Sequence, residues 1–170
     1  DGGGISPDIE AGTAVLSAAT RALLRNFAIF DYATSFKQQN ASISSPETFQ
    51  MSAGVFEDFR QFVGKGDYSF ANRTEELLKE MEKEAESEDI RETLDPAIQS
   101  IRSSLEERKL REIDLNREEI SRALRLEIVA RYHYDKGRVI SALSDDPDVL
   151  KAVQVLNDPV AYQRVFALQP

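Results

Sequence analysis

The chain offers few residues whose chemistry could support catalysis. It contains a single histidine, His133, and no cysteine. His133 lies between Tyr132 and Tyr134 in a segment with helical spacing, and nothing in the sequence points to a serine and an acid that would complete a Ser-His-Asp arrangement. The absence of cysteine excludes thiolate nucleophiles and Cys-ligated zinc. We therefore interpret His133 as a surface or interface residue and predict no catalytic residue.

A metal centre in a helical bundle would need more ligands than the sequence supplies. A di-iron carboxylate site uses a Glu-x-x-His motif on two helices. Here His133 is the single candidate, and Ala130 occupies the position that the glutamate would take. A zinc site built from carboxylates around the same histidine is equally disfavoured. The sequence therefore predicts no metal-binding residue.

Two glycine-rich segments and one Ser-Lys spacing have simpler interpretations than a binding or catalytic site. Residues 2–4 (GGG) and 64–66 (GKG) lack the Gly-Lys-Ser/Thr ending of a phosphate loop, so turns are expected. Ser35 and Lys37 are two residues apart on a predicted helix and so point to different faces, which argues against a Ser-Lys dyad. We predict no cofactor and no cofactor-binding residue.

Composition and charge restrict the classes of partner. The 170 residues are 41% hydrophobic and 30% charged, as expected for one globular domain. A formal net charge of −9 disfavours binding to nucleic acid or to an anionic membrane surface, and no apolar run long enough for membrane insertion is present. We interpret the acidic stretches 75–92 and 106–119 as solvated helix faces, with a basic partner as the alternative.

Hydrophobic periodicity predicts an all-α fold organised around one long helix. From about residue 117 to 144, apolar side chains recur at helical spacing without a proline. They are Ile120, Leu124, Ile128, Tyr132, Val139, Ile140 and Leu143. We expect an irregular helical bundle in which the other helices pack around this one.

Capping residues and prolines delimit the remaining predicted helices. The expected helices are 18–39 after Ser17, a short helix after Ser52, 73–87 after Asn72, one from Asp95-Pro96 to about Leu110, and two short helices that start at Asp146-Pro147 and Asp158-Pro159. A turn is expected around Leu115 and Asn116. Residues 1–15 contain several glycines and Pro7, and we predict an extended N-terminal arm.

Several stretches, taken in order, resemble one protein family. Residues 2–9 read GGGISPDI, and further stretches are 20–24 (TRALL), 29–34 (IFDYAT), 127–132 (EIVARY) with 135–138 (DKGR), and 155–159 (VLNDP). In this order they resemble the region that follows the catalytic core of carboxyl-terminal processing peptidases, also called tail-specific serine proteases. The opening stretch, in which Gly2, Gly3, Gly4, Ile5, Pro7, Asp8 and Ile9 match, is the most specific.

The resemblance implies a parent serine endopeptidase whose nucleophilic serine, general-base lysine and PDZ module lie upstream of Asp1. No residue of this chain matches the nucleophile or the base, so the chain itself is expected to be inactive. It would comprise an arm (1–15) leaving the protease core and a helical C-terminal domain (16–170) that braces the core or mediates substrate access or assembly. The resemblance further implies an extracytoplasmic location, either periplasmic or membrane-tethered.

The implied partners are the parent's own protease and PDZ modules and its protein or peptide substrates, and a homo-oligomer stays open. The alternative is a free-standing helical interaction module that binds a partner through its acidic face or through the Tyr132–Tyr134 region. An autonomous enzyme is the weakest hypothesis, because one histidine and no cysteine leave little chemistry.

Overall fold

The computed structural model describes residues 9–12, 15–66, 68 and 73–167. Within these residues the secondary structure is entirely helical, which confirms the predicted all-α class. The eight helices of this part are α1 (Ala18–Arg25), α2 (Ala28–Gln39), α3 (Ala53–Lys65), α4 (Arg73–Ser87), α5 (Arg91–Leu115), α6 (Arg117–Leu143), α7 (Pro147–Leu156) and α8 (Pro159–Ala167).

The core lies between α2 and α6, which form the most extensive helix–helix contact, with α3 and α5 closing it. Aromatic rings fill its α2–α3 side: the ring of Tyr32 packs edge-on against that of Phe59, with centroids 5.2 Å apart. On α6 the predicted apolar positions Ile120, Leu124 and Ile128 are fully buried. The first half of α6 therefore does have the central position that the sequence predicts.

Helix starts agree well with the predicted caps. A side-chain oxygen of Ser17, Ser52, Asp146 or Asp158 accepts a hydrogen bond from a backbone N–H two or three residues further on. These bonds satisfy amides that have no acceptor within the helix. The proposed cap Asn72 lies outside the described residues.

The predicted helix 18–39 is in fact two helices, and this part of the prediction is wrong. The break is at Phe27, whose backbone is left-handed (φ 61°, ψ 11°). Phe27 occupies the N-cap position of α2, where its side chain makes no capping hydrogen bond. The left-handed residue turns the chain so that Ala28 and Ile29 face the core, while the Phe27 side chain is exposed. No glycine or proline marks this break, so helical periodicity does not reveal it.

Helix α5 begins earlier than the Asp95-Pro96 start predicted from the proline. It starts at Arg91, with Pro96 inside the helix. Pro96 lacks an N–H, which costs one helical hydrogen bond, but an ion pair of 2.8 Å between Arg91 and Asp95 joins successive turns of this segment. The helix ends at Leu115, as the expected turn at Leu115-Asn116 requires.

The long helix has the predicted bounds to within one residue, but it is not continuous. Tyr134 has non-helical dihedral angles (φ 57°, ψ −162°) that divide α6 into residues 117–133 and 135–143. Glu127 and Arg138 form an ion pair of 3.0 Å, although eleven residues of straight helix would separate them by about 16 Å. The chain therefore reverses at Tyr134, and the second half of α6 folds back on the first. The prediction of one long helix is corrected accordingly: the predicted stretch is helical, but it is interrupted at Tyr134.

Candidate functional site

The sharpest concentration of polar contacts in the core region lies where α2 meets α6. Arg131 is its centre. Its guanidinium lies over the Phe30 ring, 4.1 Å from the centroid, and donates to the Thr34 hydroxyl (3.2 Å) and to the Phe30 carbonyl oxygen (3.3 Å). It also forms an ion pair of 2.8 Å with Glu127. One α6 side chain thus holds two successive turns of α2.

A second anchor lies one residue further along α6. The Tyr132 hydroxyl donates to the Asn40 carbonyl oxygen (2.6 Å), just beyond the end of α2. The Lys37 ammonium lies 3.6 Å from the centroid of the Tyr132 ring, a cation–π contact. Partial burial raises the pKa of Tyr132 above its usual value, so it remains a neutral donor at physiological pH.

Glu127 connects these anchors to the reversal of α6. One carboxylate oxygen pairs with Arg131 and the other with Arg138, which lies beyond Tyr134. The Glu127 side chain is only 20% exposed, so these pairs are less screened than ordinary surface ion pairs. We call this set (Phe30, Thr34, Lys37, Glu127, Arg131, Tyr132 and Arg138) the α2–α6 seam.

His133 adjoins the seam without joining it. Its Nε2 atom is buried and has no hydrogen-bond partner among the described residues. A general base needs a proton donor within hydrogen-bond reach, and a catalytic histidine usually has a second group that orients it. The geometry around His133 is that of a packing residue, because its Cβ lies close to the backbone of Gly137 across the reversal.

Ser35 and Lys37 serve separate interactions. Ser35 accepts a hydrogen bond from Gln39 (3.1 Å), while Lys37 lies over Tyr132. In the part of the chain that the structure describes, no three His, Asp or Glu side chains are grouped so that they could hold a metal ion. The seam therefore positions helices with internally paired charges, and the absence of catalytic residues stays a prediction.

The two tyrosines that flank His133 have different environments. Tyr132 is partly buried in the seam, whereas Tyr134 is 81% exposed. Residues two apart on a regular helix face different directions. The left-handed backbone at Tyr134 was not predicted, and no residue type there signals it.

The acidic helices α4 and α5 neutralise part of their own charge. Glu82 on α4 forms ion pairs with Arg91 and Arg102 on α5. A hydrogen bond to Asp95 raises the pKa of Arg91, so this guanidinium stays charged. These pairs hold the α4–α5 hairpin together and agree with the interpretation of its charged faces as solvated.

An apolar groove at α7 and α8 was not predicted from the sequence. The groove has a volume of about 370 Å³ and lies between the two helices and residues of the N-terminal arm. Its lining is mostly apolar, with Asp148 and Lys151 as its charged members. Helix α7 buries none of its residues fully. We call this feature the α7–α8 groove.

The described residues thus define a helical domain built around a polar seam and the reversal of α6, with an apolar groove at its end. None of the described helices is both long and apolar enough to cross a membrane. Residues 19–156 match the family described as "Probable PDZ-protease, C-terminal helical domain". The chain therefore belongs to this family, as the resemblance to processing peptidases predicted. No match was found among curated proteins or among solved structures.

Proposed function

We propose that this chain is the non-catalytic C-terminal domain of a carboxyl-terminal processing serine endopeptidase and that it braces the protease core of its parent. The observation that carries the proposal is the family match, which covers residues 19–156 and so most of the chain. A bracing domain holds the protease core in position and catalyses no reaction itself. The α2–α6 seam suits that role, because Arg131 fixes α2 to α6 through contacts to Phe30, Thr34 and Glu127.

The arrangement of polar groups supports a positioning role over catalysis by the chain itself. Among the described residues, His133 has a buried ring nitrogen without a partner, and Lys37 is engaged with an aromatic ring. Neither provides the activated nucleophile that peptide hydrolysis requires. Peptide bond cleavage would belong to the serine and lysine of the parent's protease module, and its PDZ module would bind substrate.

A two-part experiment tests this function. The 170-residue chain is incubated with an unstructured peptide, and we expect no turnover above the buffer control. The protein encoded by the complete reading frame is then assayed as the wild type, as Arg131→Ala and as Arg111→Ala. Arg111 is an exposed arginine on α5 and serves as the matched control. We expect kcat/KM to fall several-fold in Arg131→Ala alone, because the brace loosens.

Two results would contradict the proposal. Turnover by the isolated chain that disappears when one of its serines is substituted would make it an enzyme in its own right. A reading frame without a protease module would favour the alternative, a free-standing helical interaction module. The exposed apolar groove at α7 and α8 is the observation that keeps this alternative in view.

We further propose an extracytoplasmic location, either periplasmic or membrane-tethered, for the parent protease. This proposal rests on the resemblance to processing peptidases. Cell fractionation with antibodies against this domain tests it, and recovery of the protein in the cytoplasmic fraction would contradict it.

A further inference from the structure

Helix α6 is reversed by a single residue. Tyr134 has φ 57° and ψ −162°, while the segments on either side of it, residues 117–133 and 135–143, are helical. This backbone region is populated almost entirely by glycine, so a tyrosine is strained there. The Tyr134 side chain contributes little packing, because it is 81% exposed. The turn that folds α6 back on itself is therefore both very short and strained.

The same residues have the sequence of one continuous helix. Residues 117–143 contain no proline, and Gly137 is their single glycine. With helical dihedral angles at Tyr134, these 27 residues would form a straight helix of about 40 Å. Backbone hydrogen bonds between residues four apart would then continue across the position of the turn. Local sequence preference therefore favours a straight α6, whereas the tertiary contacts of the folded chain hold it reversed.

Gly137 is required by the reversed form but not by a straight helix. In the structure, a Cβ at residue 137 would overlap with the Cβ of His133 and would lie 3.3 Å from Cγ1 of Val129. In a straight helix the Cβ atoms of residues four apart are about 5–6 Å from each other, so alanine would fit. Alanine is also the better helix former. A substitution at this position therefore discriminates between the two forms of α6.

The contacts across the reversal join complementary charges. Glu127, before the turn, pairs with Arg138 beyond it (3.0 Å), and Arg125 pairs with Asp145 (2.6 Å). Beyond α6, helix α7 packs mainly on α8, so residues 135–167 form a unit that is attached to the rest largely through the reversal. A straight α6 would separate this unit from its charge partners. The two surfaces that separate are complementary, so each fits the matching surface of a second copy of the chain.

We propose that α6 mediates assembly with a second copy of this chain, in which the two copies exchange residues 135–167 as a domain-swapped dimer. In this dimer Tyr134 is helical, and the ion pairs that cross the reversal form between the copies. Short hinges under strain favour such an exchange, because the contacts of the single chain are remade while the strain at the hinge is lost. The inference does not depend on the proposed function, since it rests on contacts within this chain alone.

Substitutions at the turn test the proposal by sedimentation equilibrium of the 170-residue chain. Tyr134→Ala favours the straight helix, whereas Tyr134→Gly disfavours it and relieves the strain of the reversed form. Alanine is preferred over glycine in a helix by about five-fold per residue, and a dimer contains two such positions. We expect the dissociation constant of the dimer to be at least about 25-fold lower for Tyr134→Ala than for Tyr134→Gly, with the wild type between them. Gly137→Ala should lower this constant as well, while the control Gly64→Ala on α3 should leave it unchanged.

A mixing experiment distinguishes exchange from any other dimer. Arg125→Asp in one variant and Asp145→Arg in another each place like charges across the reversal. In a mixed dimer that has exchanged residues 135–167, opposite charges meet at both sites: the two native residues at one and the two substituted residues at the other. After unfolding and refolding of the mixture, we expect native mass spectrometry to show the mixed dimer at least about ten-fold above either like dimer.

Two results would overturn the inference. Mixed and like dimers in statistical proportions would reject the exchange of residues 135–167. Equal dissociation constants for Tyr134→Ala and Tyr134→Gly, or no dimer in any variant, would reject the role of the turn as a hinge. If Arg125→Asp does not refold, as judged by circular dichroism, the series at Tyr134 and Gly137 still decides.

Discussion

Arg125 and Asp145 lie twenty residues apart in the sequence and form an ion pair of 2.6 Å between Nη2 and Oδ2. Arg125 is 5% exposed, and its other terminal nitrogen donates to the Ser144 hydroxyl (3.0 Å). In a straight helix twenty residues extend about 30 Å, so the pair exists only because α6 reverses at Tyr134. The pair joins the segment of α6 before Tyr134 to the residues that follow the end of α6.

Replacement of Arg125 by alanine should destabilise the domain. The Arg125 side chain is 6% exposed but Asp145 is 42% exposed, so solvent screens part of the interaction. We expect a loss of about 1 to 2 kcal/mol in the free energy of unfolding, measured by urea denaturation. Arg122→Ala is the control, because its contact to Asp145 is longer (3.3 Å) and more exposed, and it should cost less than about 1 kcal/mol. An equal decrease in the free energy of unfolding in both variants would show that the Arg125–Asp145 pair does not specifically stabilise the reversal of α6.

Replacement of Tyr134 by glycine should stabilise the domain. Tyr134 has φ 57° and ψ −162°, a region that is accessible to glycine but strained for other residues. Relief of about 1 to 3 kcal/mol of strain exceeds the cost of about 1 kcal/mol for the more flexible unfolded chain. Little packing is lost, because the side chain is 81% exposed. Thermal unfolding of Tyr134→Gly beside Tyr134→Ala, which keeps the strain, measures the effect. A glycine variant no more stable than the alanine variant would contradict the expectation.

Alanine at Gly137 and alanine at Gly64 should have opposite effects. A Cβ at residue 137 would lie 2.2 Å from the Cβ of His133, where neither backbone can easily move. We expect Gly137→Ala to destabilise by about 2 kcal/mol or more. At Gly64 on α3, the new Cβ would meet Leu110 at an ordinary 3.7 Å, and alanine should stabilise by up to about 1 kcal/mol. Urea denaturation of both variants tests these expectations. An unchanged free energy of unfolding in Gly137→Ala would mean that residues 133 and 137 can move further apart at the reversal of α6.

The stability of the domain should fall in strong alkali. Burial, with a contribution from Asp58, raises the pKa of Tyr32 to about 12, from 10.0 in the unfolded chain. Between these values the unfolded state loses the proton first, so the free energy of unfolding decreases as pH rises from about 10 to 12. Below pH 10 the full contribution is present, and it amounts to no more than about 2 kcal/mol after allowance for solvent screening.

Tyr32→Phe separates this effect from those of other groups. The Tyr32 hydroxyl donates to the Val55 carbonyl oxygen (2.9 Å), so its loss should cost about 1 kcal/mol at pH 8. The variant should also show a shallower decline above pH 10. Tyr68, whose pKa is likewise raised to about 12 by burial and a hydrogen bond to Asp31, will leave part of the decline in place. An unchanged slope between pH 10 and 12 in urea midpoints would exclude Tyr32 as a cause.

Local signals were sufficient for much of the fold. Ser17, Ser52, Asp146 and Asp158 cap helices as expected, because a cap involves residues only two or three positions apart. The preference of proline for the first position of a helix gave a wrong start at Pro96, because the helix begins five residues earlier, at Arg91. Pairing of Arg91 with residues of both α4 and α5 accompanies that earlier start.

The candidate site was less accessible to sequence reasoning. The stretches around Phe30 and Arg131 were among those that carried the family resemblance, and the structure shows that these two residues touch each other in the α2–α6 seam. The pairing itself could not be deduced, because 101 positions in the sequence separate the partners. Helix α7 itself was predicted, but hydrophobic periodicity does not distinguish a helix face that packs in a core from one left exposed in a groove.

The sequence alone determined an all-α chain, most of its helix ends and its lack of cysteine chemistry, since each depends on residue types and short spacings. The resemblance of several ordered stretches to a known family indicated the family. Only the tertiary structure decided that the chain breaks at Phe27 and reverses at Tyr134. Both residues adopt backbone conformations that cost free energy locally and leave no mark in the sequence. At Tyr134 the conformation coexists with ion pairs such as Glu127–Arg138 and Arg125–Asp145, which stabilise the reversal and form only in the folded chain.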